Sequence, residues 1–152
     1  MPDLTRGQPD ANTVKLLLVE DDTLDVEAIR RAFRKARIGN PIHVARDGID
    51  ALSILREETG EPFRRPYLIL LDLNMPRMSG IEFLSELRDD ERLRDSIVFV
   101  LTTSDDDKDI MQAYDNLVAG YMVKAKAGED FVKLIGMLDH YWRIVELPPD
   151  RT

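Results

Sequence analysis

Five strand-sized apolar runs punctuate this 152-residue chain, and each gives way to polar residues at its carboxyl end. They are Val14–Val19, Ile42–Ala45, Tyr67–Leu71, Ile97–Leu101 and Gly120–Val123. Such near-continuous apolar runs suit strands buried on both faces, not strands with one wet side. Between them apolar residues recur at helical spacing: Val26, Ile29 and Phe33; Ile49, Leu52 and Leu55; Phe83, Leu84 and Leu87; then Ile110–Tyr114 and a last helix over roughly Glu129–Val145. Strands alternating with helices predict right-handed βαβ units and one parallel sheet in an α/β domain. Asp47 is placed to cap the second helix, the Asp105-Asp106-Asp107 run to open the fourth, and Pro148-Pro149 to stop the last.

Composition narrows the class of function. The chain has no Cys, which excludes a disulfide scaffold, a Cys-ligated zinc and an iron–sulfur cluster. Twenty-nine acidic against 21 basic residues leave a formal charge of −8, so repulsion from nucleic acid is expected. No apolar run is long enough to cross a bilayer and no secretory signal pattern is present, so the cytoplasm is the expected compartment. The expected organisation is a flexible tail over Met1–Thr13, one domain over 14–147 and a short tail over 148–152.

In an open α/β sheet, ligands bind beyond the carboxyl ends of the strands. The first run delivers Glu20, Asp21 and Asp22 there, the third Asp72, the fourth Thr102 and Thr103, and the fifth Lys124. Carboxylates crowded into one cleft repel each other, and burial disfavours their charged forms further. A divalent cation removes the conflict. With hard oxygen donors and no His or Cys beside them, Mg²⁺ is the expected ion. Asp72 beside such a cation can act as a nucleophile toward phosphorus, with Lys124 and the Thr102 hydroxyl stabilising phosphoryl oxygens. Singly, each group has a plainer reading: an acidic run caps a helix, an Asp caps a loop, a Lys snorkels from a strand end. Together, in strand order, they converge on one cleft.

With those residues placed, the chain resembles the receiver domain of two-component response regulators over about residues 14–145. The matching segments are Leu17-Leu18-Val19-Glu20-Asp21-Asp22, Leu70-Leu71-Asp72-Leu73-Asn74-Met75-Pro76, Gly80, Val100-Leu101-Thr102-Thr103 and Gly120-Tyr121-Met122-Val123-Lys124. The resemblance implies a flavodoxin-like, doubly wound five-stranded parallel sheet of order 2-1-3-4-5. It implies Asp72 as phosphoacceptor and Mg²⁺ held by Asp21, Asp72, the Asn74 backbone carbonyl and, through water, Glu20. It further implies Thr102 and Lys124 around the phosphoryl group and Tyr121 as an aromatic switch. Within the family the chain is most similar to single-domain regulators paired with phytochrome histidine kinases. That likeness rests on Asp25-Val26, His43-Val44, Asp47-Gly48, Ser104, Asp109-Ile110, Tyr114 and the ending Tyr141-Trp142…Ile144-Val145…Leu147-Pro148. A sensor histidine kinase is therefore the implied partner, and a protein contact or onward phosphotransfer the implied output.

The pattern is broken at one point. Receivers usually carry Lys-Pro after the fifth strand, with a cis bond that aims the lysine; here Lys124 precedes Ala125 and Lys126. A cis bond before Ala costs about 3 kcal/mol, so a trans loop is expected, with Lys126 as a substitute cation. The departure leaves room for a phosphorylation-independent pseudo-receiver. An aspartyl-phosphate hydrolase would need a second acid two residues beyond Asp72, where the chain has Asn74.

The last helix carries two stripes. Phe131, Leu134, Ile135, Leu138, Trp142 and Val145 fall on one face, expected to pack on the sheet. Met137, Tyr141 and Ile144 form a second stripe that a monomer would leave in water, which predicts a homodimer interface.

Overall fold

A computed structural model describes residues 13–128 and 130–151. The strands are β1 (Lys15–Val19), β2 (Ile42–Ala45), β3 (Tyr67–Leu71), β4 (Val98–Thr102) and β5 (Gly120–Val123). The helices are α1 (Thr23–Lys35), α2 (Gly48–Leu55), α3 (Gly80–Asp89), α4 (Asp107–Asp115), α5 (Lys124–Ala127) and α6 (Val132–Ile144). The strands form one parallel sheet in the order β2-β1-β3-β4-β5. The expected tail Met1–Thr13 lies, Thr13 apart, outside the described residues.

Alternation along the strands sends side chains into two cores. Leu17, Val19, Ile69, Leu71, Val98 and Val100 meet α2, α3 and α4 through Leu52, Leu55, Phe83, Leu84, Leu87 and Ala113. Leu16, Leu18, Leu68, Leu70, Phe99 and Leu101 meet α1 and α6 through Ile29, Phe33, Leu134, Ile135, Leu138 and Trp142. Local chemistry sets the helix starts. Asp22 caps α1 by accepting from the Leu24 and Asp25 N–H groups, and Asp47 caps α2 by accepting from Asp50. Ser79 and Glu82 form a reciprocal capping box on α3, and Asp106 caps α4.

Several expectations need correction. Ile49 does not join the inward face of α2: it is exposed, and Ala51 fills that face beside Leu52 and Leu55. The stretch after β5 forms the four-residue helix α5, which the periodicity did not announce. The last helix begins only at Val132, because Phe131 takes a left-handed backbone (φ 56°) that turns its ring into the core. Val145 ends that helix in an extended conformation and is 39% exposed.

Cations gather at the carboxyl end of α1, where Arg34 and Lys35 occupy the last turn and complement the helix dipole, with Arg37 just beyond. Beyond α6 the chain folds back instead of trailing away. The buried Arg65 guanidinium donates to the Pro149 carbonyl (3.0 Å), the Arg92 carbonyl (3.1 Å) and Asp95 (2.6 Å). The Arg65 N–H donates to Asp150, and Arg151 reaches the other oxygen of Asp95 at 3.0 Å. This clasp sits at the amino end of the sheet, away from the predicted cleft.

Candidate functional site

Every strand end that the sequence singled out opens on the same edge of the sheet. Glu20 follows β1 and is 4% exposed, Asp72 follows β3 and is 6% exposed, and Thr102 closes β4 with no exposure. Asp21 stands at the mouth in water. One carboxylate oxygen from each of Glu20, Asp21 and Asp72 falls within 4.8 Å of the others. Asp72 Oδ1 accepts from the backbone N–H of Asn74 (3.3 Å), which fixes the turn on which the exposed Asn74 sits.

The loop carrying Asp72 is also set from below. A β-carbon on Gly80 would lie 2.6 Å from the Asp72 carbonyl oxygen and 2.7 Å from the Leu73 α-carbon. Helix α3 can approach this loop so closely only because that side chain is missing.

The crowding shows in the electrostatics of Glu20. Burial, followed by the neighbouring Asp72 charge and a hydrogen bond with Asp72, pushes the Glu20 carboxyl up to about 8, against the opposing pull of Lys124. A bound proton there relieves the same repulsion that a divalent cation would relieve. Glu20, Asp21 and Asp72 are hard oxygen donors of the kind Mg²⁺ and Mn²⁺ take, so the residues present fit such an ion.

Lys124 reaches the cleft without the usual proline. Among the described residues the sole cis peptide is Arg65–Pro66, so the Lys124–Ala125 bond is trans. Lys124 Nζ lies 3.9 Å from Asp72 Oδ2, 3.4 Å from both Glu20 oxygens and 2.6 Å from Asp25 Oδ2. Burial alone would lower its pKa. The hydrogen bond to Asp25 and the charges of Asp72 and Glu20 outweigh burial and raise it. Lys126 is no substitute: it is exposed and lines a groove with Tyr114, Tyr121 and Met137.

Thr102 and Tyr121 are joined through one loop residue. Thr102 Oγ1 accepts from the Ser104 N–H at 3.5 Å, and the Tyr121 hydroxyl donates to the Ser104 carbonyl at 2.8 Å. The Ser104 hydroxyl in turn donates to Asp109 at 2.6 Å, tying the loop to α4. Tyr121 is half-buried, against the core that faces α2, α3 and α4. Sequence reasoning passed over Asp25 and Ser104 as parts of the site. Asp25 occupies the third position of α1, where an acid is expected for the helix dipole alone, so its type gave no signal of a second role.

The second stripe on α6 divides. Tyr141 is not left in water, since its ring packs edge-on against Phe99 with centroids 5.0 Å apart. Met137 is 38% exposed and Ile144 80%.

The family model for the response regulator receiver domain matches residues 16–136. The chain belongs to this family. It is 39% identical over 127 residues to the probable methanogenesis regulatory protein FilR2 of Methanothrix harundinacea, covering 84% of this chain and 82% of that protein. It is 33% identical over 135 residues to response regulator Rcp1 of Synechocystis, covering 88% and 92%. The solved Mn²⁺-bound form of Rcp1 superposes with a TM-score of 0.76 at 34% identity, over 90% of this chain and 99% of that one. The phosphorylated cyanobacterial phytochrome response regulator RcpA gives a TM-score of 0.80 at 33% identity, over 91% and 99%. The chain is thus a two-component response regulator related to the phytochrome regulators, in a family that carries phosphorylation on Asp and binds a divalent metal. No described helix is long and apolar enough to cross a membrane.

Proposed function

We propose that Asp72 accepts a phosphoryl group from a sensor histidine kinase, with Mg²⁺ held by Asp21, Asp72, the Asn74 carbonyl and, through water, Glu20. The observation that carries this reading is the meeting of Glu20, Asp21, Asp72, Thr102 and Lys124 at one strand edge. One Asp72 oxygen attacks phosphorus, the phosphorus–nitrogen bond of the donor histidine breaks, and the imidazole leaves with the electron pair and takes a proton. Lys124 and the Thr102 hydroxyl stabilise the phosphoryl oxygens. The cation supplies the positive charge that lets three carboxylates and a phosphoryl group share one cleft. Buried Thr102, drawn toward the phosphoryl group, would pull on Ser104 and so release the Tyr121 hydroxyl, which makes Tyr121 the switch.

The likeness to Rcp1 and RcpA supports a phytochrome as the kinase, and the acidic, cysteine-free composition supports a cytoplasmic location. The chain acts as a phosphoacceptor, catalysing only its own phosphorylation and dephosphorylation. The reach of Lys124 despite Ala125 favours this over a phosphorylation-independent pseudo-receiver. Met137 and Ile144, with the outer edge of Tyr141, supply the face of a homodimer.

The test is intact-protein mass spectrometry after acetyl phosphate treatment, with and without Mg²⁺. Wild type gains one phosphoryl group only with Mg²⁺, and Asp72→Asn gains none. Equal labelling of the variant refutes the assignment.

A further inference from the structure

Lys124 is the cation that would meet the incoming phosphoryl group, yet its shortest contact is elsewhere. Asp25 Oδ2 lies 2.6 Å from Nζ, whereas Asp72 Oδ2 is 3.9 Å away. The two partners lie 99 residues apart in sequence, so the contact follows from the tertiary fold, which brings the first turn of α1 to the start of α5, and not from local chain geometry. Both groups are largely shielded from water, Lys124 with 14% and Asp25 with 25% of its side chain exposed. A short charge-assisted hydrogen bond between shielded groups is among the stronger polar contacts in proteins. Capping does not account for it. The exposed N–H groups of the first turn are served by Asp22, which accepts from both Leu24 and Asp25. The Asp25 carboxylate spends its oxygen on the lysine.

We propose that Asp25 is a positioning residue that holds Lys124 off Asp72 before phosphoryl transfer and yields it to the phosphoryl group afterwards. This rests on Asp72 being the phosphoacceptor. A dianionic phosphoryl group on Asp72 outcompetes a single carboxylate for the ammonium, so the lysine changes partner once the bond to phosphorus has formed. Before that, the grip of Asp25 withholds positive charge from the attack and sets how readily the chain is phosphorylated.

The experiment has two arms, using the full chain as wild type, Asp25→Asn, Asp25→Glu and Glu27→Gln. Glu27 is an exposed carboxylate on the same helix, so its variant controls for charge alone. In the first arm, without metal or phosphodonor, lysine acetylation by acetic anhydride is mapped by peptide mass spectrometry, with exposed Lys126 as internal reference. Acetylation of Lys124 relative to Lys126 rises about fivefold in Asp25→Asn, as the loss of a hydrogen bond between charged groups predicts. It stays near wild type in Asp25→Glu and Glu27→Gln. In the second arm, Asp25→Asn takes up phosphoryl from acetyl phosphate and saturating Mg²⁺ several-fold faster, and Asp25→Glu restores the wild-type rate. Unchanged Lys124 acetylation in Asp25→Asn overturns the hold. Raised acetylation with slower phosphorylation overturns the withholding role. A wild-type chain that takes up no phosphoryl group refutes the reading of Asp72, while the acetylation arm still decides the hold.

Discussion

Replacing Asp95 with Asn removes the anionic centre of the clasp that ties the carboxyl-terminal segment to the domain. Its hydrogen bond from Arg65, against the opposing effect of burial and with help from Arg151, brings the Asp95 carboxyl down to about 2 from an ordinary 3.8. At ~1.4 kcal/mol per pKa unit, that difference sets a ceiling of about 2.5 kcal/mol on the charge's contribution. A third of the side chain faces water, so solvent screening reduces the expected loss in Asp95→Asn to about 1–1.5 kcal/mol. For a chain of this size that corresponds to a melting point lower by about 3–5 °C. The sign with pH is fixed. A carboxyl with a depressed folded pKa stabilises fully above its unfolded value, near 4, and stops doing so as pH falls through about 2. Urea unfolding of both proteins at pH 7, 4 and 2.5 therefore yields a gap of full size at pH 7 that narrows toward the lowest pH. A gap that stays constant across the series, or none at pH 7, would refute the reasoning.

Gly80→Ala forces a methyl group against the Asp72 carbonyl oxygen and the Leu73 backbone. It should lower stability by about 1–3 kcal/mol in thermal melts and weaken Mg²⁺ binding, because the Asp72 loop must shift. By isothermal calorimetry, Asp21→Ala should lose about a hundredfold in Mg²⁺ affinity and Glu20→Gln about tenfold, since Glu20 acts through water. Equal affinity in wild type and Asp21→Ala would count against the metal site. Light scattering at micromolar concentration should find wild type dimeric and the Met137→Glu, Ile144→Glu double variant, which spares the Tyr141–Phe99 contact, monomeric. Monomeric wild type would remove the α6 interface.

The sheet was legible because β3, β4 and nearly all of β1 are buried on both faces, so apolar runs alone mark them, and acidic residues cap α1, α2 and α4 where the sequence places them. What escaped was set by tertiary contact. Ile49 fits the helical period of α2 but points outward, because neighbouring Gly48 lies so close to Met78 and Phe83 that the helix turns its smallest residues inward. Phe131 ends in a left-handed conformation that no propensity favours, held there by the burial of its ring. The site itself was legible where strand ends deliver side chains. It was hidden where a residue has an adequate local explanation, as Asp25 does on α1 and Arg65 does in an ordinary-looking polar loop. Lys124 was the opposite case: the missing proline suggested a misdirected lysine, and the opening of α5 aims it into the cleft regardless.

One carboxylate, Asp72, is the proposed carrier of the phosphoryl group. Borohydride reduction of the chain after acetyl phosphate and Mg²⁺ treatment converts an aspartyl phosphate to homoserine, which peptide mapping then locates. Conversion is expected at Asp72 alone, dependent on Mg²⁺ and prevented by prior chelation. Conversion at Asp21, Asp22 or Asp25, or unaltered Asp72 in a chain that has gained a phosphoryl group, would contradict that assignment.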